Sequence, residues 1–401
     1  MPGHTVGIIA EFDPFHRGHE YLIQRAREQF PGAPIVVTMS GHFTQRGCPA
    51  ALAPHARAEM ALKCGADLVL ELPLPWAISS AEGFARGGVA VLAGVADTVV
   101  CGSECGSEEL LQKAADCLRT EAYHGELKKR LSSGVSFASA RQSAVAALSG
   151  EETAGVLAQP NDLLAVSYLE AIAHFGLNMT LKTVRRTGPA HNANGVDNGF
   201  ASASAIRQLL LNGDCDAAAA LLPEPARPIL KREWDAGRAP ADLGRCERAV
   251  LYRLRQMTEA DFAALPDCSE GLEHRLYRAA RQAVSLERFY TLAKTKRYAH
   301  ARIRRMALWA FLGLTEEDRQ SAPPFYHVLG MGSRGQLPLH DLVRSCPVPV
   351  IAKPASAKEL TGAAGRLFRQ EARCADLWQL CLPVPGPCGS VWTQSPVILK
   401  G

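Results

Sequence analysis

The chain has 401 residues, enough for two domains with sizeable cores, and 47% of them are hydrophobic against 21% charged, a balance that excludes disordered and fibrous classes. A formal net charge of +4 is too small to imply nucleic acid by itself, so such a partner must be argued from a local cluster. No stretch reaches the ~20 uninterrupted apolar residues of a membrane span and no charged leader precedes a long apolar run, so no membrane partner and a cytoplasmic address are expected.

The first strand is expected in TVGIIAEF, which is short, β-branched and followed by a proline turn. HEYLIQRAREQF then carries Leu22, Ile23 and Ala26 at helical spacing. PGAPIVVTMSG reads as a second strand, HARAEMALKCGA as a helix closed by glycine, and DLVLELP as a third strand. SAEGFARGGVAVLAGV and ADTVVCGSE repeat the helix and strand alternation. LKTVRRTG is expected as a further strand, and FASASAIRQLLLNG as a helix with serines at its start and Gly213 after its end. Continuous apolar strands alternating with helices predict an α/β fold with a parallel sheet covered on both faces.

Past residue 213 the pattern changes to helices broken by Pro and Gly, with no obvious strand before PVPVIAKP. A boundary is therefore expected near Asn212 to Asp214, dividing residues 1–213 from a mostly helical 214–401 with a proline-rich tail of irregular structure or short strands. No internal repeat is visible. The 12 cysteines are scattered without a CxxC pair, so they are expected as reduced thiols. Cys101 and Cys105, without further ligands at zinc spacing, assign no metal site.

In open α/β sheets ligands gather beyond the carboxyl ends of strands. Here those ends are Glu11 to His19, Ser40 to Arg46, Glu71 to Pro75 and Gly102 to Glu104. FDPFHRGH is the most suggestive of them, because a helix start offers unpaired N–H groups and the positive end of its dipole to an anion. His16 and His19 share one face of the first turn, where both can donate to a phosphate, and Gly18 between them leaves room for a flat ring such as adenine. In SASAIR, Ser202 and Ser204 can cap a helix or bind phosphate, and Arg207 supplies a planar charged donor. Either segment alone is also compatible with plain capping.

FDPFHRGH resembles the HIGH-like signature of the nucleotidyltransferase superfamily, and SASAIR resembles its ISSTxIR phosphate motif. More specifically, GIIAEFDPFHRGHEYL, MSGHFTQRG, RAEMALKCGADLVLELP, SAEGFARGGV, CGSE, PNDLLAVSYL, VRRTGPAHN, SASAIR and KTKRYAHARIRRMAL together resemble the tRNA(Met) cytidine acetate ligase family. The resemblance spans most of residues 5–313. It implies a Rossmann-like nucleotidyltransferase domain followed by a mostly helical, tRNA-binding C-terminal domain. ATP is then expected across Gly7, Ile8, Ile9, Ala10, Glu11, Phe12, Asp13, Pro14, Phe15, His16, Arg17, Gly18, His19 and Glu20, with further contacts at Gly102, Asn161, Arg186, Thr187, Ser204 and Arg207. Asp13 stands where this family more often has asparagine, His42 replaces the asparagine of SGNF, and PAHN replaces GYHD.

The reaction so implied joins acetate to the α-phosphate of ATP, releases diphosphate, and passes the acetyl group to the wobble cytidine of elongator tRNA(Met). His16 and His19 are the expected catalytic groups, and Mg2+ the expected counter-ion of the diphosphate. The basic segment LAKTKRYAHARIRRMALWAFLG offers Lys294, Lys296, Arg297, Arg302, Arg304 and Arg305 to tRNA, with Ile303, Met306, Ala307 and Ala310 as a buried stripe and Tyr298 as a stacking ring. Two other readings compete. An adenylyltransferase acting on a small phosphorylated metabolite shares both motifs but leaves the basic segment unexplained; a non-catalytic nucleotide sensor or RNA-binding protein could retain the fold.

Overall fold

The computed structural model describes residues 4–186, 196–197, 200–269, 271–295, 298–319 and 321–400. The expected strands form at Val6–Ala10, Ile35–Ser40, Leu68–Leu72, Thr98–Ser103 and Thr180–Arg185, all parallel in one sheet. Almost every residue of the first four is buried, as expected when helices cover both faces.

One face carries the helices Arg17–Gln29, Pro54–Lys63 and Ala203–Leu211; the other carries Ala81–Leu92 and Pro160–His174. Side-chain alternation decides the division: Val6, Ile8, Val37 and Met39 point into the first layer, whereas Ile9, Val36, Leu70 and Val99 point into the second. A third apolar cluster lies in the helical part, centred on Leu254, Phe289 and Trp309.

The sheet is larger than its parallel portion. Tyr326–Met331 pairs antiparallel with Leu68–Leu72 and is flanked by Val350–Ile351 and Val397–Ile398. YHVLGM was not expected as a strand, because a single short apolar run amid helical patterns carries no periodicity of its own. Residues beyond 213 therefore complete a sheet begun before it. Trp309 Nε1 and Trp378 Nε1 also donate to the carbonyls of Ile78 and Ala50, both at 3.0 Å. No helix among the described residues is long and apolar enough to cross a membrane.

From Val6–Ala10 the chain first adds strands on one side, then returns to place Thr98–Ser103 on the other. The order of strands thus reverses between Ala10 and Gly102, where open α/β sheets leave a crevice.

Candidate active site

A cleft of about 390 Å³ opens at that reversal. Its floor is Ile9, Ala10, Cys101 and Gly102; its walls include Glu11, Phe12, Asp13, His16, Gly18 and His19, with Asn161 and Arg186 on one side and Arg207 on another. Arg305, expected at the RNA surface, also lines it. A larger open groove of about 980 Å³ between residues 134–139 and 271–298 gathers none of the expected nucleotide residues.

The two histidines form one unit. His16 caps the helix Arg17–Gln29: its Nδ1 accepts the Gly18 N–H at 3.0 Å, while His19 Nδ1 accepts the His16 N–H at 3.3 Å. The rings stack with centroids 3.7 Å apart. With each Nδ1 committed as an acceptor, the proton of each neutral ring resides on Nε2, so the pair is set as donors. Gly18 has a different immediate use from the one expected. A Cβ there would lie 2.9 Å from His16 Cε1, so the space above it accommodates the His16 ring rather than standing open for a base.

Gly7 and Ile8 lie inside their strand, and Ile8 and Phe15 are fully buried. These three, with Pro14, Arg17, Glu20 and Ser204, do not line the cleft. Arg17 Nη2 donates to the Ala220 carbonyl at 3.1 Å, and Glu20 lies in the first turn. Ser202 is the N-cap of Ala203–Leu211, accepting the Ala205 N–H at 3.2 Å. Ser204 bridges two arginines, its Oγ meeting Arg46 Nη1 at 2.9 Å and Arg207 Nη2 at 3.2 Å. Arg207 also pairs with Asp13, 3.2 Å from the carboxylate and 2.6 Å from its carbonyl. Asp13 Oδ1 meanwhile accepts the Ala51 N–H at 2.7 Å. Thr187 and the PAHN segment lie outside the described residues.

Beside the expected Asn161 and Arg186 stand groups the sequence did not single out, Asp162 and Arg57 among them. Asn161 Nδ2 donates to Glu104 at 2.5 Å, and Arg186 Nη1 donates to Asn161 Oδ1 at 3.3 Å. Asp162, fully buried, accepts from Ser103 Oγ at 2.5 Å and from the Glu104 and Cys105 N–H groups at 2.9 and 3.1 Å. Arg57, also fully buried, donates to the carbonyls of Glu11 (2.7 Å), Ser40 (3.0 Å), Leu52 (3.0 Å) and Gly41, tying two strand ends together. Burial pushes its guanidinium down to about 10, so it stays charged near neutrality. Burial pushes the Glu11 carboxyl upward, against the pull of Arg46. An arginine within an apolar helix face is the one signal that could have marked Arg57 beforehand.

Residues 3–386 match the family model for HIGH Nucleotidyl Transferase. A tRNA(Met) cytidine acetate ligase of Syntrophomonas wolfei is 34% identical over 98% of this chain and 99% of its own, and one of Acetivibrio thermocellus is 31% identical over 98% and 100%. The chain belongs to the tRNA(Met) cytidine acetate ligase family. Among solved structures, Thermotoga maritima TmcAL bound with alpha-thio ATP superposes with a TM-score of 0.92 at 32% identity, covering 99% of this chain and 100% of that one. Its apo form gives 0.93 at 31%.

In this member of the tRNA(Met) cytidine acetate ligase family the basic segment forms the helix His300–Leu312. Ile303, Met306, Ala307 and Ala310 are buried at 0–1% exposure, as their spacing implied. Lys294 is exposed. Arg302 donates to the Asp267 carbonyl at 2.6 Å, and Arg304 lies over the Tyr290 ring at 5.5 Å. Tyr298 is not a stacking platform, because only 6% of it is exposed. Lys296 and Arg297 lie outside the described residues.

Proposed function

We propose that the chain is an ATP-dependent ligase that activates acetate and acetylates the wobble cytidine of elongator tRNA(Met). The observation that carries this reading is the meeting, in one cleft, of the His16–His19 helix start with Asp13 and Arg207 at the start of a second helix. Full-length relatives bearing that name agree with it.

In the first step an acetate oxygen attacks the α-phosphorus while the bond to the bridging oxygen breaks, giving acetyl-adenylate and diphosphate. Such chemistry depends on alignment and on neutralising charge that builds on the leaving oxygen. His16 and His19, as Nε2–H donors beside a helix N-terminus, suit the departing diphosphate; Arg207, with Arg46 through Ser204, suits the outer phosphates. In the second step the cytidine N4 attacks the acetyl carbonyl, loses a proton, and AMP leaves. Neither step needs a covalent enzyme intermediate.

No protein residue is assigned to Mg2+. The cleft carboxylates do not suit it: Asp13 is engaged by Arg207 and the Ala51 N–H, and Glu11 accepts the Gln45 N–H at 2.6 Å beside Arg46. Mg2+ would instead arrive on the phosphates. For the tRNA we assign Lys294, Lys296, Arg297, Arg302 and Arg304 to backbone phosphates.

The test is acetate-dependent exchange of labelled diphosphate into ATP, followed by detection of N4-acetylcytidine in tRNA. Replacing His19 by alanine is expected to lower the exchange by about a hundredfold, the scale of one preorganised donor. An unchanged rate would remove His19 from the chemistry.

A further inference from the structure

Five arginines line the cleft, and three of them have polar side-chain partners: Arg46 with Ser204 and Glu11, Arg207 with Asp13 and Ser204, and Arg186 with Asn161. Arg305 differs. Its one described hydrogen bond runs from Nη1 to the Gln45 carbonyl at 3.3 Å, and no carboxylate lies within ion-pair distance among the described residues. Its Nε and the neighbouring Gln45 Nε2 are both buried from solvent without an acceptor. Burial accordingly holds the guanidinium below its usual value.

Leaving the buried Arg305 Nε–H and a buried amide N–H unpaired is costly, so two such donors in residues lining one cleft mark the place of a missing acceptor. A planar fork beside an amide N–H matches two coplanar oxygens. The helix carrying Arg305 rests on the Gly47 turn, where even a Cβ would come within 2.6 Å of Arg305 N, and the helix's other contribution to the cleft is the small Ala301. From this geometry we infer that Gln45 Nε2 and the Arg305 guanidinium form the receptor for the carboxylate of acetate, with Ala301 beside its methyl group. Arg305 thereby serves the small substrate rather than the RNA. The assignment rests on the ligase reading and adds to it the subsite for the nucleophile.

Kinetics of acetate-dependent diphosphate exchange, run without tRNA, test it with Arg305→Gln and Gln45→Leu; the latter leaves the guanidinium and backbone in place. Both variants should raise KM for acetate by about ten- to a hundredfold, the worth of a charge-assisted hydrogen bond, with KM for ATP unchanged. If exchange vanishes, retained binding of a non-hydrolysable ATP analogue by calorimetry supports the subsite and lost binding overturns it. An equal rise in KM for ATP would place a phosphate on these donors, and weakened tRNA binding with normal exchange would place RNA there; either refutes the proposal. Wild-type protein inactive with acetate sinks the ligase reading itself, whereas active wild-type protein with unaltered variants sinks the subsite alone.

Discussion

His55 sits at the start of the helix Pro54–Lys63 with neither ring nitrogen hydrogen-bonded among the described residues. Burial drives its imidazole down to about 3, and that of His42 to about 4 against the opposing pull of Glu71. Burial alone would raise the Glu71 carboxyl, but the hydrogen bond and charge of His327 hold it below the ordinary range. Both imidazoles protonate more readily in the unfolded chain. Their contribution to stability is therefore complete above about pH 6.5, the ordinary histidine value, and is lost as pH falls toward their folded values. His55→Leu should remove its share, flattening the decline of unfolding free energy between pH 6.5 and 4.5 by ~1.4 kcal/mol per pH unit. Denaturant titrations across that range that give equal slopes for both proteins would show that His55 does not titrate this way. The same scale separates what spacing reveals from what it conceals. His16 and His19 were legible as a pair, but the Nδ1 bonds that set their tautomers depend on cap geometry.

The contact between the Gly47 turn and the helix His300–Leu312 shows how one element acquires a second task. Gly47 has φ +75°, and an added Cβ would lie 2.6 Å from Arg305 N and 2.7 Å from Arg304 C, backbone atoms that cannot rotate away. Gly47→Ala should therefore cost about 1–3 kcal/mol, through left-handed strain and overpacking, and displace the arginine that the helix sends into the cleft. Thermal denaturation reads the first effect and diphosphate exchange the second; an unchanged Tm would mean that the close approach is not needed. Periodicity identified the apolar stripe of this helix because a buried face must repeat every 3.6 residues. It said nothing of which charged residue on the remaining faces would meet solvent and which would meet the cleft.

At the scale of the molecule, the sheet draws strands from both ends of the chain, and Glu371 accepts the Leu74 N–H at 2.7 Å across 297 positions of sequence. The helical part is thereby held beside the cleft rather than tethered to it, which suits a surface that must deliver one nucleotide of a large anion to an activated acetyl group. With Arg305 facing the cleft, the proposed RNA contacts are those of the rest of the basic segment. Lys294→Glu combined with Arg297→Glu should weaken tRNA binding across sequences and lower the slope of log affinity against log salt by about 2. The same slope in wild type and variant would exclude this face. Acetate-dependent exchange without tRNA should be unaffected.

Strand and helix alternation, the two helix-start motifs and the basic cluster were all local patterns, so the sequence alone determined the α/β class, the carboxyl-end location of the cleft and the family. Burial on both faces enforces continuous apolar strands, and phosphate binding at a helix start draws on consecutive residues; both leave short-range signatures. Tertiary structure decided what depends on distant partners. Arg57, Asp162 and Gln45 acquire their places from residues far along the chain, the strand Tyr326–Met331 is recognisable as such only beside Leu68–Leu72, and Arg305 turns inward because a glycine turn more than 250 positions earlier lets its helix approach.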